Sequence, residues 1–165
     1  MEKVKEKIIK LSKGLYITTK VLYIISITLF FVFAIEAIVF PLTGVVKGYE
    51  PGEVAIAFSI LALYSFIAVG LLWNVSQLFK VIYTEKTPFS LNVNKYLKKS
   101  AGYILGISII PGFLGSILNH ALFPNSVFSY HIELTGILAG LVLYFIGLFF
   151  NYGYELKKKD DETLW

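Results

Sequence analysis

Four long apolar runs constrain this chain more than any other feature of its sequence. Each approaches or exceeds the roughly 20 apolar residues that a helix needs to cross a bilayer, and they cover residues 21–43, 54–79, 101–123 and 132–150. Each run is apolar on nearly all sides rather than along one stripe, which is typical of a helix in lipid. The pattern predicts an all-α integral membrane protein, a single domain built as a four-helix bundle.

The composition supports the same conclusion. The 165 residues are 56% hydrophobic, with a mean hydropathy of +0.71, whereas a soluble domain is about 45–50% apolar. There is no cysteine, so disulfides, thiol catalysis and thiolate metal sites are excluded.

The first run is longer than the roughly 7–15 apolar residues of a signal peptide, and it ends in "AIVFPLTG". We therefore expect it to remain as the first span.

The lysines predict how the chain is oriented. All 15 basic residues are lysine, and all but Lys47 precede the first run, lie in residues 80–100, or follow the fourth run in residues 151–165. Short loops rich in lysine stay in the cytoplasm. Both termini and the loop 80–100 are therefore predicted to be cytoplasmic, with Lys47 in the first outer loop.

The cytoplasmic loop carries a turn signal followed by an amphipathic helix start. Pro88 disfavours helix at the residue before it, and Ser90 or Asn92 can cap a new helix. One face of that helix is apolar and consists of Phe89, Val93, Tyr96 and Leu97. The loop is either an interfacial helix whose lysines contact anionic lipid or a docking surface for a cytoplasmic partner.

A family resemblance rests on this loop. The stretch "LFKVIYTEKTPFSLNVNKYLKKSAGYILGI" resembles the most distinctive segment of a bacterial family of small four-span membrane proteins, catalogued as domain of unknown function 2975. The matching residues are Pro88, Phe89, Asn92 and Val93. The tail is similar to the family's ending at Gly153, Leu156, Asp161 and Thr163, although Lys157 and Lys158 stand where the family usually has Gln and Glu.

The resemblance implies a location and a type of partner rather than an activity. Members of the family are bacterial, which places this chain in the inner membrane. They are often encoded beside a small helix-turn-helix DNA-binding protein. The resemblance therefore implies a membrane sensor or tether for a cytoplasmic regulator.

Small residues predict where helices pack. Gly102 with Gly106, and Gly136 with Gly140, form small-xxx-small pairs that let helix backbones approach closely in lipid. They favour a contact between the third and fourth spans, and a homo-oligomer through the same surfaces is the alternative. Pro111 lies within the third span and is predicted to kink it, for structural reasons or to line a cavity.

Glu36 is the clearest ionisable residue within a span, and buried charge is costly unless it is paired or neutralised. We predict that it faces the bundle interior about 10 Å below the outer boundary, at 1.5 Å rise per residue. Its candidate partners at the outer ends of other spans are Asn119, His120, His131 and Glu133. Together they would form a ligand pocket, a Zn²⁺ site or a proton relay. A protonated Glu36 with one hydrogen-bond acceptor explains its presence equally well.

The sequence contains no catalytic motif. It lacks a phosphate-binding glycine loop, an H-E-x-x-H motif and a nucleophile elbow, so we predict no enzymatic activity, no cofactor and no motif-based metal site. The net charge of +4 comes from membrane-proximal lysines, which argues against direct nucleic-acid binding. The main hypothesis is a non-enzymatic sensor or tether in the lipid bilayer. The alternative is a small-molecule or ion permease subunit with Glu36 lining the path.

Overall fold

Four α-helices make up nearly all of the structure. The computed structural model describes residues 2–43, 49–126 and 128–163, and its helices are α1 (Glu2–Thr43), α2 (Pro51–Glu85), α3 (Leu91–Leu122) and α4 (Leu134–Thr163). All four are long and apolar enough to cross a membrane, which confirms the prediction of an all-α, multi-pass membrane protein. Lys47 and residues 164–165 of the tail lie outside the described residues.

The helices extend beyond the apolar runs at the ends that carry lysines. α1 begins at Glu2, well before residue 21, and α4 continues through most of the predicted tail. Lysine and glutamate favour helix without help from lipid. The exposed ion pairs Lys10–Glu6 (3.1 Å) and Lys158–Glu162 (3.7 Å) each add a few tenths of a kcal/mol at most.

Successive helices pack side by side and antiparallel, in chain order. Among the described residues, α1 contacts only α2, and α4 contacts only α3. The bundle is therefore open, with α1 and α4 at its two edges and much of their apolar surface facing outward. The chain termini and the α2–α3 turn lie at one end, which we name the inner end. The connections α1–α2 and α3–α4 lie at the outer end.

Aromatic rings and small polar residues hold α1 against α2. The rings of Phe40 and Phe58 stack with centroids 5.0 Å apart, and the Ser26 hydroxyl donates to the Ser65 carbonyl at 3.2 Å. The small residues of α1 that are buried against α2 recur every seven positions, at Ser12, Thr19 and Ser26. This spacing keeps one narrow face toward the partner helix, so the other faces of α1 are free for lipid.

The α2–α3 turn is built from the predicted capping residues. α2 ends where Lys86 adopts a left-handed conformation with φ 53°. Ser90, rather than Asn92, caps α3 by accepting a bond from the Val93 N–H at 3.3 Å. The Asn92 side chain instead donates to the Glu85 carboxylate at 2.8 Å, so both predicted residues stabilise the turn in different ways.

The glycines of α4 allow it to approach α3 closely. A Cβ on Gly136 would overlap the Ser108 side chain, and one on Gly140 would come within 2.8 Å of Leu105. Each glycine thus removes a side chain where the helices touch. On the α4 side, the predicted contact between the third and fourth spans is therefore made by Gly136 and Gly140.

The glycines of α3 do not take part in that contact. Gly102 is exposed and has open space around it, and Gly106 makes ordinary contact with Ile67 of α2. Ala101, Leu105 and Ser108 supply the α3 side instead. Pro111 is buried inside α3, which continues as helix to Leu122.

The two glycine positions predict opposite results for the same substitution. Gly136→Ala should destabilise the protein by about 1–3 kcal/mol, because the new methyl group overlaps Ser108. Gly102→Ala should be neutral or stabilising by up to about 1 kcal/mol, because alanine favours helix. Thermal unfolding in detergent micelles checks both. Equal stability of the two variants would contradict the close α3–α4 contact.

Candidate functional site

One face of α3 is made of small or short side chains near its outer end. The buried residues there fall at i, i+3, i+4, i+7 and i+11, which is a single helical face. They are Ser108, Pro111, Gly112, Gly115 and Asn119. We call this surface the small-residue face. Small side chains let a neighbouring backbone, helical or extended, approach closely.

Residues 128–133, which we name the re-entrant segment, lie in that face. At one end the Asn119 side-chain amide donates to the Phe128 carbonyl at 2.7 Å. At the other end the Glu133 N–H donates to the Ser108 carbonyl at 3.0 Å. Asn119 and Ser108 are eleven residues apart, about 16 Å along a helix. The five steps from 128 to 133 cover that distance only if the chain is nearly fully extended.

Between these two anchored ends, the middle of the re-entrant segment also lies very close to α3. A Cβ on Gly112 would overlap the backbone carbonyl of His131, and one on Gly115 would lie 2.6 Å from the Tyr130 ring. The re-entrant segment therefore occupies the space that side chains at Gly112 and Gly115 would fill. Its position follows from the α3 sequence.

α4 consequently begins near the midpoint of α3. Ser108, which anchors Glu133, precedes the end of α3 at Leu122 by fourteen residues, about 21 Å. Extended chain thus packs against the outer half of α3, while α4, which is itself long enough to cross a membrane, begins beside the middle of that helix. Non-helical backbone within a membrane is tolerated where protein buries it or where it lines a polar cavity.

A groove of about 410 Å³ lies between the re-entrant segment and α2. Its α2 wall consists of Ala57, Ile60, Leu61 and Tyr64, and its other wall consists of Phe128, Ser129, Tyr130, His131 and Glu133. This volume is within the range of about 300–1,000 Å³ usual for small-molecule sites. An apolar body with a few convergent polar groups is the usual chemistry of a ligand pocket.

The polar groups of the groove are short of partners within the protein. The Tyr130 hydroxyl is buried without a hydrogen-bond partner among the described residues, and it interacts electrostatically with Glu53. Within the same part of the chain, the N–H groups of residues 129–132 donate to no protein acceptor. The Tyr130 hydroxyl is closed off by protein and the Ile132 nitrogen lies against Gly112, so a bound molecule would meet the exposed residues Ser129 and His131.

Glu133 stands at the N-terminus of α4, which starts inside the groove. The Glu133 carbonyl accepts the first helical bond, from Ile137 at 3.1 Å. The positive end of the helix dipole favours a carboxylate at this position. Its carboxylate makes no hydrogen bond or ion pair with the described residues, and it interacts electrostatically with Tyr64.

The structure divides the pocket that the sequence predicted around Glu36. His131 and Glu133 line the groove, whereas Asn119 is a buried anchor for the re-entrant segment. His120 is exposed in the last turn of α3 and does not line the groove. Two of the five predicted residues are thus brought together.

Glu36 itself lies apart from the groove. It is half-buried on α1, which packs only against α2 among the described residues. Within the same ranges its carboxylate has no hydrogen bond or ion pair, and no group of three or more metal-ligating side chains occurs there. The prediction that Glu36 meets the two histidines is therefore wrong for the single chain, because α1 does not reach α3 or α4.

Sequence reasoning missed Tyr64, Phe128 and Tyr130, which form the aromatic part of the groove. The small-residue spacing from Ser108 to Asn119 indicates a close backbone approach, but it does not distinguish a helix from an extended chain. From the sequence we predict a kink at Pro111 in this stretch. Hydropathy also placed residues 132–133 in a helix, whereas α4 starts at Leu134.

The predicted docking residues at the inner end fall into two groups. Val93 is 1% exposed and packs with Leu78 and Leu97, so it cannot touch a partner directly. Phe89 is 49% exposed while its ring stacks on Phe150 of α4 at 5.1 Å. Pro88 and Asn92 belong to the same turn, so Phe89 is the predicted docking residue that presents an exposed apolar surface there, next to the exposed Leu91.

A polar network joins α3 to α4 beside that turn. The Asn94 amide donates to the Asn151 side chain at 2.7 Å, and the Asn151 amide donates to the Glu155 carboxylate at 3.0 Å. Asn94 is buried, so the link is worth more than a surface hydrogen bond. It fixes α4 relative to the turn.

A second depression at the outer end has a volume of about 280 Å³. It is lined by Glu50, Glu53, Leu122, Phe123, Pro124, Asn125 and Ser126. The Glu53 carboxylate already accepts a bond from the Glu50 N–H at 3.4 Å, at the start of α2. This depression is explained by helix capping.

Comparison with known proteins leaves the site to be interpreted on its own geometry. No family model matches the chain, and no match is found among curated proteins or solved structures. The resemblance to domain of unknown function 2975 stays a prediction.

Gly112→Ala tests the close approach of the re-entrant segment. The methyl group would overlap a backbone carbonyl that cannot move unless the segment moves. We expect hydrogen exchange of the Glu133 amide, which donates to the Ser108 carbonyl, to rise at least about tenfold, equivalent to about 1.4 kcal/mol of lost local stability. Exchange measured by mass spectrometry checks this, with Gly102→Ala as the control. Unchanged exchange in Gly112→Ala would contradict the packing described above.

Proposed function

We propose that this chain is a non-enzymatic sensor or tether of the bacterial inner membrane, with both termini in the cytoplasm. In this proposal the groove takes a small ligand from the outer half of the membrane. The inner end acts on a cytoplasmic helix-turn-helix regulator. The chain would belong to the family that its central loop resembles.

One observation carries the proposal: α4 is continuous from the groove to the inner end. It runs from Leu134 to Thr163, about 45 Å at 1.5 Å per residue. Its first turn follows Glu133 of the groove, and its inner part holds Phe150 under the ring of Phe89. A ligand that shifts the re-entrant segment would therefore move the helix that supports the exposed turn.

Only a small coupling free energy is needed between the groove and the inner end. A ligand biases an equilibrium only by its different affinity for the two states, and coupling of about 1–3 kcal/mol is usual between distant sites. The Phe89–Phe150 stack is worth about 0.5–1.5 kcal/mol. Loss or gain of this one contact is of the size that a sensor needs.

The permease alternative receives less support. Glu36 lies away from the groove, and α1 and α4 do not close a ring around a path among the described residues. A transporter usually has repeated halves that surround its site. A homo-oligomer through the outward faces of α1 or α4 would be needed to enclose a path.

Orientation is tested with single cysteines, which the natural chain lacks. Asn125→Cys and Lys95→Cys place an exposed thiol at the outer and inner ends. We expect a membrane-impermeant maleimide to label Asn125→Cys on intact cells, and Lys95→Cys only after permeabilisation. The reverse pattern would overturn the cytoplasmic assignment of the termini.

Partner capture tests the sensor proposal. Cross-linking in native membranes should recover a cytoplasmic DNA-binding protein with the wild-type chain. The double variant Pro88→Ala, Phe89→Ala should reduce that recovery to background, because it removes the exposed ring. Phe31→Ala, which truncates a 57% exposed ring on α1, should have no effect.

Two results would count against the sensor proposal. Recovery of only copies of the chain, or of no protein, would shift support to the permease subunit. Flux measurements comparing the wild type with Glu36→Gln would then decide, since a permease should lose flux in that variant.

A further inference from the structure

The groove combines one carboxylate with three aromatic rings and has no lysine. Its nine lining residues include Glu133, Tyr64, Phe128 and Tyr130. Among them His131 is the only side chain able to carry positive charge. When the His131 imidazole is neutral, Glu133 is the charged group of the groove.

Glu133 carries a carboxylate that has no counter-ion among the described residues. The residue is exposed and directly precedes the candidate span Leu134–Leu156. The N-terminus of α4 favours a negative charge at this position. Since no described side chain pairs with the carboxylate, a bound cation would complete the site.

An anion is disfavoured at the same place. A helix N-terminus on its own attracts anions, but Glu133 already occupies that position in α4. An incoming anion would therefore meet the like charge of the Glu133 carboxylate.

The aromatic rings suit a soft cation rather than a metal ion. Ammonium groups bind the faces of aromatic rings, and quaternary ammonium ions are the best-known ligands of this type. Small hard cations need several oxygen ligands, whereas the groove supplies one carboxylate and the described residues contain no metal-ligating cluster. Ala57, Ile60 and Leu61 of α2 offer an apolar surface beside the rings.

We propose that the groove binds a lipophilic cation, with an ammonium head between Glu133 and the rings of Tyr64, Phe128 and Tyr130, and an apolar body along α2. The inference rests on the proposed function, since it names the ligand class of the same groove. Such a molecule concentrates in the bilayer, and it could enter the groove from the lipid.

Binding of decyltrimethylammonium tests the ligand class directly. The full chain in dodecyl maltoside micelles, whose head group carries no ammonium, is equilibrated with the radiolabelled compound, and empty micelles correct for partition into detergent. We expect saturable binding of one molecule per chain. Decanol and decyl sulfate, which have the same alkyl chain, should displace it at least about tenfold less well, because they lack the positive head.

Variants locate the site. Glu133→Gln should weaken binding at least about tenfold, and Glu133→Asp, which keeps the charge, should retain it within a few-fold. Glu36→Gln removes the other carboxylate within a span and should leave binding unchanged. Tyr64→Phe keeps the ring and should bind like the wild type, whereas Tyr64→Leu should lose affinity. Hydrogen exchange of the residue-133 amide, which donates to the Ser108 carbonyl in the wild type, verifies that each variant keeps its fold.

The contrary outcomes separate this inference from the proposed function. Equal displacement by decanol, with no effect of Glu133→Gln, would show an alkyl chain as occupant and overturn the cation. Preferential binding of decyl sulfate, or no saturable binding of the cation, would overturn it as well. In each case the partner-capture experiment still decides whether the chain is a sensor.

Discussion

The hydrogen bonds that hold the re-entrant segment against α3 determine most of what is distinctive in this structure. Lipid offers no partner to a backbone N–H or C=O, so chain that is not helical must be covered by protein or must line a polar cavity. The Asn119–Phe128 and Glu133–Ser108 bonds anchor both ends of the segment. One side of it is covered by the small-residue face. Its other side, with N–H groups that find no protein acceptor among the described residues, becomes a wall of the groove.

The same arrangement determines where α4 begins and how far it extends past α3. Because extended chain packs against the outer half of α3, α4 begins beside the middle of that helix and extends well beyond it at the inner end. Gly136 and Gly140 keep it close to α3, and Asn94 and Asn151 fix its inner part. A helix held at two places and exposed to a groove at its start is suited to carry a displacement, which is the physical basis of the sensor proposal.

Glu36 shows that the free-energy cost of a charge within an apolar run does not by itself locate a functional site. A carboxylate within an apolar run is a sound pointer to function, and the sequence offered two histidines and a second carboxylate in the same leaflet. The open order of the helices separates them, because α1 touches only α2 in the part of the chain that the structure describes. Glu133, which hydropathy places at the edge of a span, is the carboxylate that reaches the groove.

Local properties of the sequence were sufficient for the number of helices, their approximate positions, the Ser90 cap and the glycine contact of α4. These depend on hydropathy, lysine placement and short-range hydrogen bonding, all of which act within a few residues along the chain. The start of α4, the groove and the separation of Glu36 were decided by tertiary structure. They depend on contacts between Ser108–Asn119 of α3 and a segment beyond the next turn, and on which helices become neighbours. A hydropathy pattern cannot supply this information, because an extended segment and a helix bury the same apolar residues and differ only in where their backbone hydrogen bonds go.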